Sequence, residues 1–167
     1  RLSWISLDIE TEGLDGRLYS IAAAAPDQAR VFVLGDQPVA CAGAKVSHHG
    51  DERALLDAFF DWLQLTDPDL ILGWNLVNFD LDFLEKRCRR LGRGFDFGRG
   101  GEHATILTSA QNDGPSVARL PGRVALDGIE LLRAAFWSFE SFELEHVAQV
   151  LLGRGKHIDT RVESKVD

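Results

Sequence analysis

Apolar and polar residues alternate over residues 2–9, which is the two-residue repeat of a β-strand. Turn residues at 13–16 separate this strand from two further strand patterns, over residues 17–25 and 28–34. Together these patterns predict an antiparallel meander of three strands at the start of the chain.

Helical and strand patterns alternate in the middle of the chain. Asp51 is a candidate N-cap for a helix that runs to about Gln64, with apolar side chains three and four residues apart on one face. Residues 70–74 form a short, continuously apolar run, which is typical of a strand buried on both faces. A second helix is predicted over about residues 80–91. Its buried face is expected to contain Leu81, Leu84 and Cys88.

Glycine and arginine dominate residues 92–101, and residues 112–115 also predict no regular element. Residues 116–120 and 123–127 are two short strand patterns separated by Pro121 and Gly122. Because proline and glycine together favour a tight turn, these two patterns predict a hairpin.

Two helices are predicted at the end, over residues 128–137 and 142–152. Ser141 is the expected cap of the second helix, and Gly153 is expected to end it. Strands followed by alternating strands and helices predict an α/β fold, with a mixed sheet and helices on its faces. The ribonuclease-H-like architecture is one such arrangement.

The composition of the 167 residues, with 45% hydrophobic and 26% charged, is that of one soluble globular domain. No apolar run approaches the roughly 18 residues of a membrane span, and no secretory leader is visible. Two cysteines without metal-site spacing fit a reducing, cytoplasmic setting. Because the chain has no Met and opens at Arg1, we expect a piece of a longer polypeptide.

Asp8 and Glu10 lie two residues apart on the first predicted strand, so both carboxylates project from one face. Such neighbours repel each other unless a cation joins them, and Mg²⁺ or Mn²⁺ prefers oxygen ligands. Asp80 follows the buried strand and would face this pair if the two strands are neighbours. The alternatives are a solvated strand end for the pair and a simple N-cap for Asp80.

Two motifs in the chain, LDIET at residues 7–11 and GWNxxxFD at residues 73–80, resemble the 3′–5′ proofreading exonuclease domain of family B DNA polymerases. Residues 122–156 resemble the same domain. The resemblance extends from Trp4 to about Asp159 and is weakest over residues 92–117.

This resemblance implies a ribonuclease-H-like fold and two Mg²⁺ or Mn²⁺ ions held by four acids. Asp8 would bridge both ions, Glu10 would bind the ion that activates water, and Asp80 would complete the site. The implied substrate is a single-stranded or frayed 3′ primer end of DNA. The residues implied to bind it are Thr11, Asn75 and Phe79.

The fourth acid of the family comes from a YxxxD motif, which this chain lacks. Its only tyrosine, Tyr19, is followed four residues later by Ala23, and Asp159 and Asp167 do not match the motif's context. We therefore expect residues 1–167 to be one exonuclease domain of a bacterial polymerase, truncated before the third motif and weakly active or inactive alone. The remaining domains of the same polymerase chain would be its partners.

Two alternatives remain open: a non-catalytic module that binds primer ends or packs against a polymerase, and a free-standing nuclease of the same fold. The net charge of −8 argues at first sight against nucleic acid, but residues 1–80 account for all of it, with 13 acids and 5 bases. Metal ions would offset that local repulsion.

A basic run in the second half of the chain has two interpretations, contact with a DNA backbone or a solvated helix face, of which the second is favoured. Its members are Arg87, Arg89, Arg90, Arg93 and Arg99. Asp127 lies between a predicted strand and a predicted helix, so we expect it to cap that helix.

Overall fold

The computed structural model describes residues 1–107 and 116–153, so the prediction for residues 112–115 lies outside the described residues. The chain divides into two compact units, Arg1–Leu131 and Leu132–Asp167. None of the described helices is long and apolar enough to cross a membrane.

The described strands form a six-stranded mixed sheet and a separate two-stranded sheet. The strands are β1 (Trp4–Thr11), β2 (Leu18–Ala24), β3 (Ala29–Leu34), β4 (Lys45–His49), β5 (Leu70–Gly73), β6 (Thr105–Leu107), β7 (Val117–Arg119) and β8 (Val124–Asp127). The order in the larger sheet is β4-β3-β2-β1-β5-β8, while β6 and β7 pair with each other.

The predicted meander is confirmed, because β1 pairs with β2 and β2 pairs with β3, both antiparallel. β5 lies between β1 and β8 and is parallel to both. The carboxyl ends of β1, β5 and β8 therefore meet at one edge of the sheet, where polar side chains that follow these strands come together. The mixed α/β fold predicted from the sequence is confirmed.

Helix α1 (Glu52–Thr66) begins where the sequence predicts. The Asp51 carboxylate accepts a hydrogen bond from the Ala54 amide at 2.8 Å, so Asp51 is the N-cap. The apolar face of α1 is buried in one core with the inward side chains of β1. The helix residues of this face are Leu55, Leu56, Phe59, Phe60 and Leu63.

The predicted hairpin over residues 116–127 is wrong, since β7 pairs with β6 and β8 pairs with β5. The reason is the buried Arg123, whose guanidinium donates to the carbonyl oxygens of Pro68 and Phe97 at 2.8 and 3.1 Å. These bonds hold the chain beside the start of β5. The Val124 amide then donates to the Asp69 carbonyl at 2.9 Å and leads β8 into the larger sheet.

The second predicted helix starts later than expected: α2 covers Asp82–Arg90. A π-helical turn, Leu76–Leu81, precedes it and contains Asp80. This wider turn is fixed by hydrogen bonds to distant strands, which no local pattern encodes. The predicted buried face is confirmed for Leu81, Leu84 and Cys88.

The last two helices are shorter than predicted. Helix α3 covers Gly128–Ala134. It ends because Phe136 adopts a left-handed backbone conformation with φ of 62°. The Trp137 amide then donates a hydrogen bond back to the Leu132 carbonyl, as at many helix C-termini. Helix α4 covers Leu144–Leu152 and ends at the left-handed Gly153, as predicted. Ser141 is not the cap that was predicted, because Glu143 occupies the cap position and the Ser141 hydroxyl accepts a hydrogen bond from the Glu143 amide at 3.1 Å.

Replacing Arg123 with alanine is expected to lower the free energy of unfolding by about 3 kcal/mol, because buried carbonyl groups lose their donor. Urea unfolding monitored by circular dichroism measures this loss. Arg119→Ala is the matched control, because Arg119 is exposed. Equal effects of the two substitutions would contradict the role given to Arg123.

Candidate active site

Three aspartates lie where the parallel strands end. Asp8 belongs to β1, Asp127 is the last residue of β8, and Asp80 lies in the π-helical turn that follows β5. In the pairing of β5 with β8, Asp127 is opposite Gly73, just before the turn that carries Asp80. Strand order thus places segments distant in sequence at one edge of the sheet.

Asp80 is buried, with 2% of its surface exposed. Its Oδ1 accepts a hydrogen bond from the Ile9 backbone amide at 3.1 Å, across 71 residues of sequence. Ile9 lies between Asp8 and Glu10, so this bond joins the two acidic motifs directly. The carboxylate of Asp80 therefore does not act as a simple N-cap.

The pKa of Asp80 is raised to about 7. Burial is the main cause, because it penalises the charged carboxylate, and the negative charge of Asp8 is the next. The Ile9 amide acts in the opposite direction, and Asp127 adds a smaller repulsion. A buried carboxylate that feels two other acids is an environment in which a cation would be favourable.

Asp8 and Glu10 lie on the exposed face of β1, whereas Ile9 points into the core. Their partners on β2 are Ala22 and Ser20, neither of which supplies a positive charge. Glu10 shares a strand face with Asp8. The negative charge of Asp8 also contributes to the raised pKa of Asp80.

Asp8, Glu10 and Asp80 do not form a preassembled metal site. Within residues 1–107 and 116–153, no group of three or more histidine, cysteine, aspartate or glutamate side chains is placed so that it could hold a metal ion. The geometry brings Asp80 to the strand that carries Asp8 and Glu10, while the role of these acids as metal ligands stays a prediction.

Two of the residues implied to bind substrate belong to this part of the chain: Asn75 directly precedes the π-helical turn, and Phe79 lies inside it. Asn75 is exposed, has a left-handed backbone with φ of 55°, and its carbonyl accepts from the Phe79 amide at 3.0 Å. The Phe79 ring is partly buried, with its centroid 6.4 Å from that of Phe83. Thr11 ends β1, and its hydroxyl donates to the Gly13 carbonyl at 2.7 Å.

Asp127 was expected to be a cap, and its Oδ1 does accept from the Ile129 amide of α3 at 3.0 Å. A second contact of Asp127 was not predicted: its Oδ2 accepts a hydrogen bond from the Val77 amide at 3.1 Å. Only the strand order, which places β8 beside β5, could have indicated that Asp127 reaches the turn carrying Asp80.

The basic run is paired with acids of the protein itself. The pairs are Arg87 with Glu52, Arg89 with Glu85, Arg90 with Asp15, Arg93 with Asp57 and Asp96, and Arg99 with Asp67 and Asp69. Since each of these arginines has a partner, the geometry favours a structural role over contact with a DNA backbone.

Residues 1–147 match the family model described as DNA polymerase family B, exonuclease domain. The chain therefore belongs to the exonuclease domain family of family B DNA polymerases, and the resemblance carried by the two acidic motifs is confirmed.

Similar proteins come from distant organisms. DNA polymerase II of Escherichia coli is 38% identical over 160 residues, which are 95% of this chain and 20% of that protein. A DNA polymerase of Thermococcus litoralis is 30% identical over 93% of this chain and 9% of its own length. The DNA polymerase delta catalytic subunit of Bos taurus is 32% identical over 68% of this chain and 11% of its own length. This chain thus spans a fifth or less of these relatives.

Asp80→Asn is expected to stabilise the metal-free protein at pH 8. The raised pKa means that the folded state binds the Asp80 proton more tightly than the unfolded state, so stability falls as pH rises through the range from about 4 to 7. Each pKa unit corresponds to about 1.4 kcal/mol, so the gain is at most about 4 kcal/mol.

Thermal unfolding at pH 5 and pH 8 with a chelator measures this effect. The increase in Tm should shrink at pH 5, where wild-type Asp80 is largely protonated. Asp82→Asn is the matched control, because the Asp82 carboxylate is paired with the positive charge of Lys86. A destabilising effect of Asp80→Asn at pH 8 would contradict the raised pKa.

Proposed function

We propose that this chain is a metal-dependent 3′–5′ exodeoxyribonuclease domain that proofreads for a DNA polymerase. The observation that carries the proposal is the hydrogen bond between the Ile9 amide and Asp80, which brings a buried acid to the strand that bears Asp8 and Glu10. Membership of the exonuclease domain family supports nuclease chemistry at this place.

The donor set suits a hard divalent cation. Asp8, Glu10 and Asp80 offer only carboxylate oxygens, which Mg²⁺ and Mn²⁺ prefer. Burial first and the Asp8 charge second raise the pKa of Asp80, and a nearby cation would stabilise its ionised form. We propose that these three acids hold Mg²⁺ or Mn²⁺, two ions in the complete site. When bound, such ions activate water and neutralise charge at the scissile phosphate.

The protein residues have separate tasks in this proposal. Asp80 is fixed by Ile9, so its carboxylate is oriented before substrate arrives. Asp8 and Glu10 face solvent from one side of β1 and are accessible to a DNA end. Thr11, Asn75 and Phe79 are proposed to position the 3′-terminal nucleotide, with Asn75 and Phe79 at the turn that carries Asp80.

We propose a single-stranded or frayed 3′ primer end as the substrate, because an unpaired base is free to enter a site and stack. Other domains of a polymerase would hold the rest of the DNA, since the arginines of the basic run are neutralised by internal acids. Similarity to a polymerase of Escherichia coli supports a bacterial cytoplasmic setting for this proposal.

Asp8→Ala is expected to reduce the rate of nucleotide release by at least about 100-fold, because it removes a group that would stabilise transition-state charge. The assay uses 5′-labelled and 3′-labelled single-stranded oligonucleotides with Mg²⁺ or Mn²⁺. It is run on this chain and on the longest available polypeptide that contains it. The 5′ label should yield a ladder of shortened strands, and the 3′ label should yield labelled mononucleotide first.

Glu12→Gln is the matched control, because Glu12 is an acid directly after β1 that pairs with Arg17. It should retain activity. Absence of activity in the longer polypeptide, together with binding of a primer end, would instead favour the non-catalytic module. Release of nucleotides from the 5′ end would contradict the proposed direction.

A further inference from the structure

The π-helical turn Leu76–Leu81 is a rare type of element, and it carries Asp80 of the candidate active site. It begins after Asn75, whose left-handed backbone redirects the chain at the end of β5, and it contains Asp80 near its end. π-Helical turns are rare and less favourable than α-helix, so interactions from elsewhere must hold them. The position of the Asp80 carboxylate therefore depends on whatever fixes this turn.

Asp127 supplies such an interaction. It is 5% exposed, and each of its carboxylate oxygens accepts a backbone hydrogen bond: Oδ2 from Val77 at 3.1 Å and Oδ1 from Ile129 at 3.0 Å. Val77 is the second residue of the π-helical turn, whereas Ile129 belongs to α3. One side chain thus joins the segments that leave two adjacent parallel strands.

Close packing beside Asp127 leaves little freedom at this junction. A Cβ atom added to Gly128 would lie 2.7 Å from Cε3 of Trp74, and a Cβ atom added to Gly73 would lie 2.9 Å from Cδ1 of Leu76. The end of β8 therefore packs tightly against the end of β5. Displacement of Val77 would have to be accommodated by the turn rather than by the strands.

We propose that Asp127 is a positioning residue for the candidate active site. Its carboxylate binds the Val77 amide and so fixes the position of the π-helical turn. That position places the Asp80 carboxylate against the Ile9 amide. Asp127 acts through Asp80 and has no contact with substrate in this account. The inference rests on the proposed function for its catalytic consequence, while its structural part stands on the two hydrogen bonds.

Asp127→Ser separates the two roles of this side chain. A serine at the cap position still accepts from the Ile129 amide, but it is too short to reach Val77 as well. Asp127→Asn is the second variant: it has the same shape but only one acceptor oxygen for two donors. The matched control is Asp51→Ser, the same change at the N-cap of α1, away from the site.

Hydrogen exchange measured by NMR at the amides of Ile9, Val77 and Ile129 tests the proposal without requiring activity. In Asp127→Ser the amides of Val77 and Ile9 should exchange about tenfold faster than in the wild type, while Ile129 stays protected. Should this variant fail to fold, Asp127→Asn is expected to show the same acceleration at Ile9.

The nuclease assay adds a second measurement, which would be unchanged if Asp127 were only a helix cap. Asp127→Ser should lower kcat about tenfold, with KM within about twofold of the wild type, whereas Asp51→Ser should leave both unchanged. Exchange at Ile9 equal to that in Asp51→Ser would overturn the proposal. Absence of nuclease activity in the longer polypeptide that contains the wild-type chain would overturn the proposed function instead, and exchange at Ile9 would still decide the role of Asp127.

Discussion

The hydrogen bond from the Ile9 amide to the buried carboxylate of Asp80 is the interaction on which the candidate site depends. It is formed inside the protein, where an unpaired acceptor would be costly, and it joins the first strand to the turn after β5. Without it, Asp80 would be a buried acid close to Asp8 with no compensating donor from β1. With this bond, the Asp80 carboxylate is held in position, but its negative charge is still unfavourable, as the raised pKa of Asp80 shows.

Acids outside the candidate site are treated differently from those inside it. Many acids outside the site are neutralised locally by the basic run, in pairs such as Glu52 with Arg87 and Asp69 with Arg99. Asp8 and Asp80, by contrast, are close enough for their negative charges to repel each other. Their repulsion is concentrated at the carboxyl ends of parallel strands, which is where sheet proteins of this class collect their functional groups.

Local patterns were sufficient for the elements that are fixed by local physics. The alternation in β1 placed Ile5, Leu7 and Ile9 in the core, and Asp51 capped α1 as its type and position predict. The hairpin prediction failed because Arg123 finds its partners at Pro68 and Phe97, more than 20 residues away. The π-helical turn could not be predicted for the same reason, since its hydrogen bonds come from β1 and β8.

Metal binding tests the central claim most directly, because it asks whether Asp8 and Asp80 share one cation. Mn²⁺ is titrated into the chain at pH 8 and followed by electron paramagnetic resonance of the free ion. We predict saturable binding that Asp8→Asn and Asp80→Asn each weaken at least about tenfold, while Asp82→Asn has no effect. Binding of equal strength in all four proteins would contradict the account.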